Sequence, residues 1–164
     1  MTRRNEILHA ARELVEQEGL EALTMRALAA RVGIRAPSLY KHLPSKRELE
    51  RNLVLLALDE LGATLSAAAA KNEPLDAVAA AYRRFALERP HLYRLLAERS
   101  VAADGFELVA AAPLLKVVGS VRRARATWAW LHGMVQLELA GRFEPGADLD
   151  AAWRAGLAAF RRPA

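Results

Sequence analysis

Cysteine is absent from the 164 residues, which excludes disulfide bonds, cysteine-based zinc sites and cysteine nucleophiles. β-Branched residues are sparse beside alanine and leucine, so helix is the expected state along the chain. The longest apolar run, ATWAWLHGMVQLELAG, contains His132, Gln136 and Glu138 and is too short and too polar to span a bilayer. The N-terminal stretch is amphipathic and contains acids, unlike a secretory signal. We therefore expect a cytoplasmic protein with no membrane partner.

Catalytic and metal-binding motifs are also missing. The histidines at positions 9, 42, 91 and 132 form no HExxH motif, and no acidic cluster has metal-ligand spacing. The chain has no P-loop, GxGxxG motif or nucleophile elbow. We predict no enzyme, no metal site and no cofactor. His132 beside Gly133 is interpreted as a buried, hydrogen-bonded histidine that allows close helix packing, with a site residue as the alternative.

The net charge is +5 and the pI is about 10.1. This balance favours an anionic partner, although a chain rich in alanine and arginine can be basic through composition alone.

Helical periodicity is interrupted at glycines, prolines and capping residues. Gly19 ends a first helix, and Thr24 caps a second that ends at Gly33. A short third helix fits residues 36–42, and SKRE, Ser45 to Glu48, is a capping box that opens a long fourth helix. Later helices are expected from Pro74, from Pro90, as one or two hinged pieces near Pro113, from Val121 to Gly141, and from Asp148 to Arg161. The predicted fold is all-α with about nine helices, divided into residues 1–48 and 49–164.

The stretch TMRALAARVGIRAPSLYKH has the shape of a helix-turn-helix, in which the second helix enters the DNA major groove. Residues 22–47 contain no acid, whereas acids cluster on both flanks. The alternative is a solvated basic face on a generic helical bundle. A third helix this short needs neighbours to hold it, which leaves its exposed side free for binding. The basic residues of this window are Arg26, Arg31, Arg35, Lys41, Lys46 and Arg47.

The longer stretch GLEALTMRALAARVGIRAPSLYKHLPSKRELERNLV resembles the N-terminal DNA-binding domain of TetR-family transcriptional regulators. The resemblance covers about residues 5–55 without a gap, and LYKHLPSKREL is its most specific part. It implies that Arg26, Ala36, Pro37 and Ser38 face DNA bases, and that Arg35 and Lys41 contact bases or phosphates. Ala36 stands where family members often carry a longer polar residue, which places more base recognition on the arginines and Lys41. The phosphate contacts implied are Thr24, Tyr40, His42 and Lys46.

The C-terminal half offers a dimer surface. In the 121–141 helix, Trp128, Leu131, Val135 and Leu139 form one apolar face, while a second face requires cover of its own. We expect this second face and the last helix to form a four-helix bundle around a two-fold axis. A larger intrachain core is the alternative. The candidate interface residues are Trp130, Met134, Leu137, Trp153, Gly156, Leu157 and Phe160.

ATWAWLHGMVQLELAGRF, preceded by ERPHLYRLL, also resembles the Trp-His-Gly type of TetR regulatory domain. This resemblance implies a two-helix dimer interface and a small-molecule pocket in the core. For each candidate lining residue, ordinary core is the more frequent role of such an aromatic residue, and ligand contact is the alternative. These candidates are the aromatic residues at helix junctions: Tyr82, Phe85, Tyr93, Phe106, Trp128 and His132.

The sequence thus predicts a homodimeric transcriptional regulator that represses through a palindromic operator in double-stranded DNA and is released by an unknown small, apolar effector. Two other functions remain open: a helical protein-interaction module that no longer reads an operator, and a helical enzyme.

Overall fold

The computed structural model of the chain describes residues 2–98 and 106–161, the side chains of 106–111 excepted. The described residues form nine α-helices and no strand, which confirms the all-α prediction. Within them, no helix is long and apolar enough to cross a membrane. The helices are α1 (Arg3–Glu18), α2 (Met25–Arg31), α3 (Ala36–Tyr40), α4 (Lys46–Ala68), α5 (Pro74–Glu88), α6 (Pro90–Glu98), α7 (Phe106–Val118), α8 (Val121–Leu139) and α9 (Leu149–Ala158).

These helices fall into two compact units. Unit 1 contains residues 1–58 and 89–104, and unit 2 contains residues 59–88 and 105–164. The division falls inside α4, between Leu58 and Asp59, so one continuous helix contributes to both units.

Local capping signals set the helix boundaries of unit 1. The Thr24 hydroxyl accepts a hydrogen bond from the backbone N–H of Ala27 at 3.0 Å, which starts α2. Gly33 then takes φ +68°, a left-handed conformation that suits glycine, and turns the chain toward α3. Ser45 accepts from the N–H of Glu48 at 3.1 Å, so α4 begins where the SKRE motif predicts.

Unit 2 is built from α5, α7, α8, α9 and the second part of α4. The apolar side of α5 is buried, and α8 buries Leu131 and Val135 completely. On α9 the buried residues are Trp153 and Leu157. This burial is the main stabilising term of the unit, since removing apolar surface from water contributes roughly 25 cal/mol per Å².

Pro113 lies inside α7 rather than between two helices. Proline removes one backbone donor from a helix and usually bends or ends it. Here Leu114 and Val118 on the same helix are buried, and their packing offsets the missing hydrogen bond. Helices α3, α5, α6 and α8 start at the predicted residues, and the other predicted helix ends differ from the observed ends by at most three residues, where terminal turns are weakly held.

Candidate functional site

The predicted DNA-contacting residues lie on the helix-turn-helix of unit 1 and in the first turn of α4. Leu39 and Leu43 are completely buried and hold the short α3 against its neighbours. Tyr40, by contrast, leaves 48% of its surface exposed although it is a large apolar residue. Ala36 and Ser38 are half-buried. Exposed to solvent are Thr24, Arg26, Arg35, Pro37, Tyr40, Lys41, His42 and Lys46.

Local sequence explains why α3 can present these groups. Arg35 is its extended N-cap residue, and Pro37 in the first turn supplies the backbone angle that a helix start requires. The Thr24 oxygen accepts the Ala27 N–H, so the hydroxyl proton remains available for a phosphate oxygen.

Some cations of unit 1 are neutralised within the unit. The Arg31 guanidinium donates to Gln17 at 2.8 Å and lies 3.5 Å from Glu13 and 3.8 Å from Glu18. These contacts tie α2 to α1. Arg3 is held in the same way by Glu6 at 2.8 Å and by the carbonyl of Val32 at 2.9 Å. Arg31 therefore has a structural role although it lies in the basic window.

A second group of cations has no such partner. Arg26, Arg35, Lys41 and Arg47 are exposed and make no ion pair within the described residues. All four belong to the helix-turn-helix and the first turn of α4. Cations without a carboxylate partner are available to replace the counterions of DNA phosphates. The unpaired charge of this stretch is thus concentrated where nucleic acid would bind.

Arg47 is a candidate DNA-contacting residue that was not predicted from the sequence. Its neighbour Lys46, which the resemblance implied, lies 3.8 Å from the carboxylate of Glu50. Arg47 is exposed and free of ion pairs within the described part of unit 1. Its position beside Lys46 in the capping box could have indicated a phosphate contact. The number of basic residues in the window could not distinguish Arg47 from Arg31.

The candidate ligand-binding residues divide between the two units. Tyr82, Phe85, Trp128 and His132 belong to unit 2, whereas buried Tyr93 belongs to unit 1. The hydroxyl of Tyr82 lies 3.3 Å from Nδ1 of His132, and the His132 ring centroid lies 5.8 Å from that of Trp128. Burial lowers the pKa of His132, which keeps the ring neutral at pH 7. The side chain of Phe106 lies outside the described residues.

Most candidate dimer residues pack against one another within the chain. The Trp130 ring lies edge-on to Trp153 at 5.3 Å and is 5.7 Å from Phe160. Gly156 gives this ring its room, because a Cβ built there would lie 2.0 Å from Cζ2 of Trp130. Trp153 and Leu157 are both 5% exposed. The aromatic residues of α8 and α9 thus form a cluster that joins the two helices.

An ion-pair network holds α9 to its neighbours at the edge of this cluster. Arg83 on α5 donates to both carboxylate oxygens of Glu138, with contacts of 2.7 and 2.9 Å, and to Asp150 at 2.5 Å. The bond from Arg83 lowers the pKa of Asp150. Trp153 adds a hydrogen bond to Glu138 at 3.3 Å and a cation–π contact with Arg83 at 5.3 Å. The charge of Arg83 is therefore neutralised inside unit 2.

The side of α8 that faces away from the buried residues carries mainly small side chains. Ala126 and Ala129 are exposed, and a Cβ built on Gly133 would meet no described atom within 4 Å. Leu137 continues this line and is 45% exposed, and Met134 beside it is half-buried. We call Ala126, Ala129, Gly133 and Leu137 the outer face of α8.

Comparison with known proteins gives two family matches. The profile described as "Bacterial regulatory proteins, tetR family" matches residues 7–52, and the profile described as "Tetracyclin repressor-like, C-terminal domain" matches residues 75–160. Together these matches cover more than half of the chain.

Individual proteins agree with these matches. An uncharacterized HTH-type transcriptional regulator of Mycobacterium tuberculosis H37Rv is 30% identical over 163 residues, which cover 90% of this chain and 73% of the relative. The crystal structure of an inferred regulatory protein, SCO4313, shares 28% identity with a TM-score of 0.78 and covers 96% of this chain and 94% of its own. A TetR variant of Acinetobacter baumannii AYE in complex with minocycline shares 25% identity with a TM-score of 0.67, covering 98% and 94%.

Proposed function

The chain belongs to the TetR family of bacterial transcriptional regulators, and from that premise we propose that it is a homodimeric repressor of a palindromic operator, released by a small, chiefly apolar effector. Its helix-turn-helix makes it a DNA-binding regulator. The observation that carries the finer proposal is the set of unpaired cations around α3, described above. Two copies of α3 would enter successive major grooves about 34–36 Å apart.

The proposed contacts divide by chemistry. Arg26, Arg35 and Lys41 have charged donors long enough to reach base edges, whereas Ala36 can contact only a thymine methyl group. Arg47 and Lys46, in the first turn of α4, would bind backbone phosphates. Pro37 and Ser38 would allow close approach of the α3 backbone, and Thr24, Tyr40 and His42 would add phosphate contacts.

Replacing Arg47 with glutamine should reduce the salt dependence of operator binding. Each phosphate contact that is lost lowers the slope of log K against log salt concentration by about 0.9, or about 1.8 for a dimer. Sequence preference should stay unchanged because a phosphate contact does not read bases. The measurement is a fluorescence-anisotropy titration at four salt concentrations.

Arg31→Gln is the charge-matched control within the basic window. Because Arg31 is occupied by Gln17, Glu13 and Glu18, we expect a lower thermal midpoint but an unchanged salt slope. Arg94→Gln removes an exposed cation of α6 and tests for a general charge effect. Equal loss of slope in all three variants would show that net charge, not Arg47, sets the slope.

The proposed dimer uses the outer face of α8. Small side chains let two helices approach closely, and Leu137 and Met134 add apolar surface that one protomer leaves partly uncovered. Trp130, Trp153, Gly156, Leu157 and Phe160 would support this surface from behind by fixing α9 on α8. In this proposal their contribution to the dimer is mainly indirect.

The proposed effector binds in the core of unit 2. Tyr82, Phe85, Trp128 and His132 bring aromatic surface and neutral polar groups together there. The related Acinetobacter structure contains minocycline, which supports a small-molecule site of the same general kind in this chain. Because α4 contributes to both units, a shift of this helix would change the separation of the two α3 helices. The coupling needed is typically about 1–3 kcal/mol.

Selection of random-sequence duplexes by the purified protein at near-physiological salt tests the proposal. Enrichment of a two-fold-symmetric motif is the expected result. Enrichment of an asymmetric half-site would contradict the dimeric operator. A folded, ligand-free protein that enriches no sequence would instead favour a helical interaction module that has lost operator recognition.

A further inference from the structure

Thr127 on α8 has a completely buried hydroxyl without a partner. Leaving aside tyrosine and tryptophan, it is the one polar residue that is buried within the described parts of the chain. Its Oγ1 has no hydrogen-bond partner there. A helical threonine ordinarily donates to a carbonyl three or four residues earlier. Leaving such a group unpaired is destabilising, and valine, with a similar shape, would avoid this cost.

The hydroxyl lies on the side of α8 that builds the core of unit 2. Ala124, Leu131 and Val135, at helical spacing from Thr127, are buried with it. His132 follows five residues later, about 7.5 Å along the helix axis at 1.5 Å per residue. Its Nδ1 lies 3.3 Å from the hydroxyl of Tyr82. Five residues rotate the helix by about 140° beyond one full turn. Thr127 and His132 therefore lie at opposite edges of this buried side, with Leu131 and Val135 between them.

Among the described residues, the titratable groups around Tyr82 and Trp153 carry no unpaired charge. Burial keeps His132 neutral at pH 7, and Arg83 is neutralised by Glu138 and Asp150. A buried charge without a counter-charge is strongly disfavoured, whereas a neutral oxygen can pair with a hydroxyl. The surroundings of Thr127 thus select against carboxylates and ammonium groups.

We propose that the Thr127 hydroxyl is the polar contact for the effector, and that this effector is an uncharged, mainly apolar molecule with a carbonyl or hydroxyl oxygen. The proposal rests on the effector site proposed above and deepens it. Trp128 and His132 would supply aromatic surface at the other edge of the buried side of α8, and Thr127 would supply the selectivity for the oxygen.

Three probes of similar size test the chemistry: acetophenone, ethylbenzene and benzoate. Their dissociation constants are measured by ligand-observed NMR with the full-length protein and with Thr127→Val and Thr127→Ser. For the unaltered protein we expect acetophenone to bind about three- to ten-fold more tightly than ethylbenzene, and benzoate most weakly. Thr127→Ser should keep this preference. Thr127→Val should reduce the ratio for the two neutral probes to about one.

Stability without ligand gives an independent readout. Thr127→Val should raise the urea midpoint because it removes an unpaired buried oxygen, whereas Thr127→Ser should not. A lower midpoint for Thr127→Val would show that the hydroxyl is already satisfied, and would overturn the proposal. Failure of acetophenone to bind, preference for benzoate, or an unchanged probe ratio in Thr127→Val would also overturn it.

Operator release is measured separately with the duplex obtained by selection. If acetophenone shows the expected dependence on Thr127 but leaves the operator bound, the contact is retained and effector-driven release is rejected. If acetophenone releases the operator equally from the unaltered protein and from Thr127→Val, release is retained and the Thr127 contact is rejected.

Discussion

Replacement of Gly156 by alanine is expected to lower the free energy of unfolding by about 2 kcal/mol. The new Cβ would lie 2.0 Å from Cζ2 and 2.6 Å from Cε2 of Trp130, so the indole ring must move. That movement separates Trp130 from Trp153 and Phe160. Overpacking of this kind costs up to about 3 kcal/mol, and the higher helix propensity of alanine returns about 1 kcal/mol. Urea unfolding at a fixed protein concentration measures the difference.

Gly133→Ala is the matched control, because Gly133 is also a helical glycine. Within one protomer its new Cβ meets no described atom within 4 Å, so helix propensity should dominate there. Any loss of stability through the proposed dimer interface should depend on protein concentration, unlike the loss in Gly156→Ala. Trp130→Phe should restore part of the loss in Gly156→Ala, since phenylalanine lacks the second ring of the indole. An equal effect of alanine at the two glycines would contradict the packing described here.

Gly133→Arg is expected to convert the dimer into a monomer and to weaken operator binding by at least 100-fold. Within one protomer the arginine has open space, so the fold should be retained. Across the proposed two-fold axis it would place a long charged side chain on the outer face of α8. A monomer has only one helix-turn-helix to bind the operator, so it loses the avidity of the dimer, which is a factor of about 10²–10⁴ in affinity. Sedimentation equilibrium and anisotropy with the selected duplex measure the two effects.

Ala67→Arg adds the same group at an exposed position of α4 and should leave the dimer intact. Extra positive charge by itself strengthens DNA binding, so charge cannot explain a loss of affinity in Gly133→Arg. A dimer that survives Gly133→Arg with unchanged affinity would rule out the outer face of α8 as the interface.

Local features of this fold were predictable because they depend on neighbouring residues. Thr24 caps α2, and Pro74 and Pro90 start α5 and α6 as their positions along the chain indicated. A hydroxyl that accepts a hydrogen bond from the backbone N–H three residues later forms this contact without help from distant residues. Pro113 was harder, because whether a proline bends or divides a helix depends on the packing of both halves.

The roles of charged and aromatic side chains were less predictable, because they depend on residues distant in sequence. Arg31 and Arg47 are equivalent in a count of charges, yet only Arg31 meets the acids of α1. Helical spacing placed Trp130 on a second apolar face of α8, but it could not show that Gly156 makes room for its ring. The predicted site and dimer residues remain predictions until the variants above are measured.

Unit 1 is not a continuous stretch of sequence. Helix α6 follows α5 and lies inside the C-terminal family match, yet it packs on α1 of the DNA-binding unit. There the ring of His91 would lie 3.5 Å from a Cβ at Gly19. An N-terminal fragment cut after α4 would therefore expose an apolar side of α1 that the intact chain covers. Chimeric regulators joined near residue 52 would carry a foreign α6 against this α1. When DNA-binding units are exchanged between related regulators, α6 should be transferred together with α1 to α4, although the thirty residues 59–88 of unit 2 separate it from them in sequence.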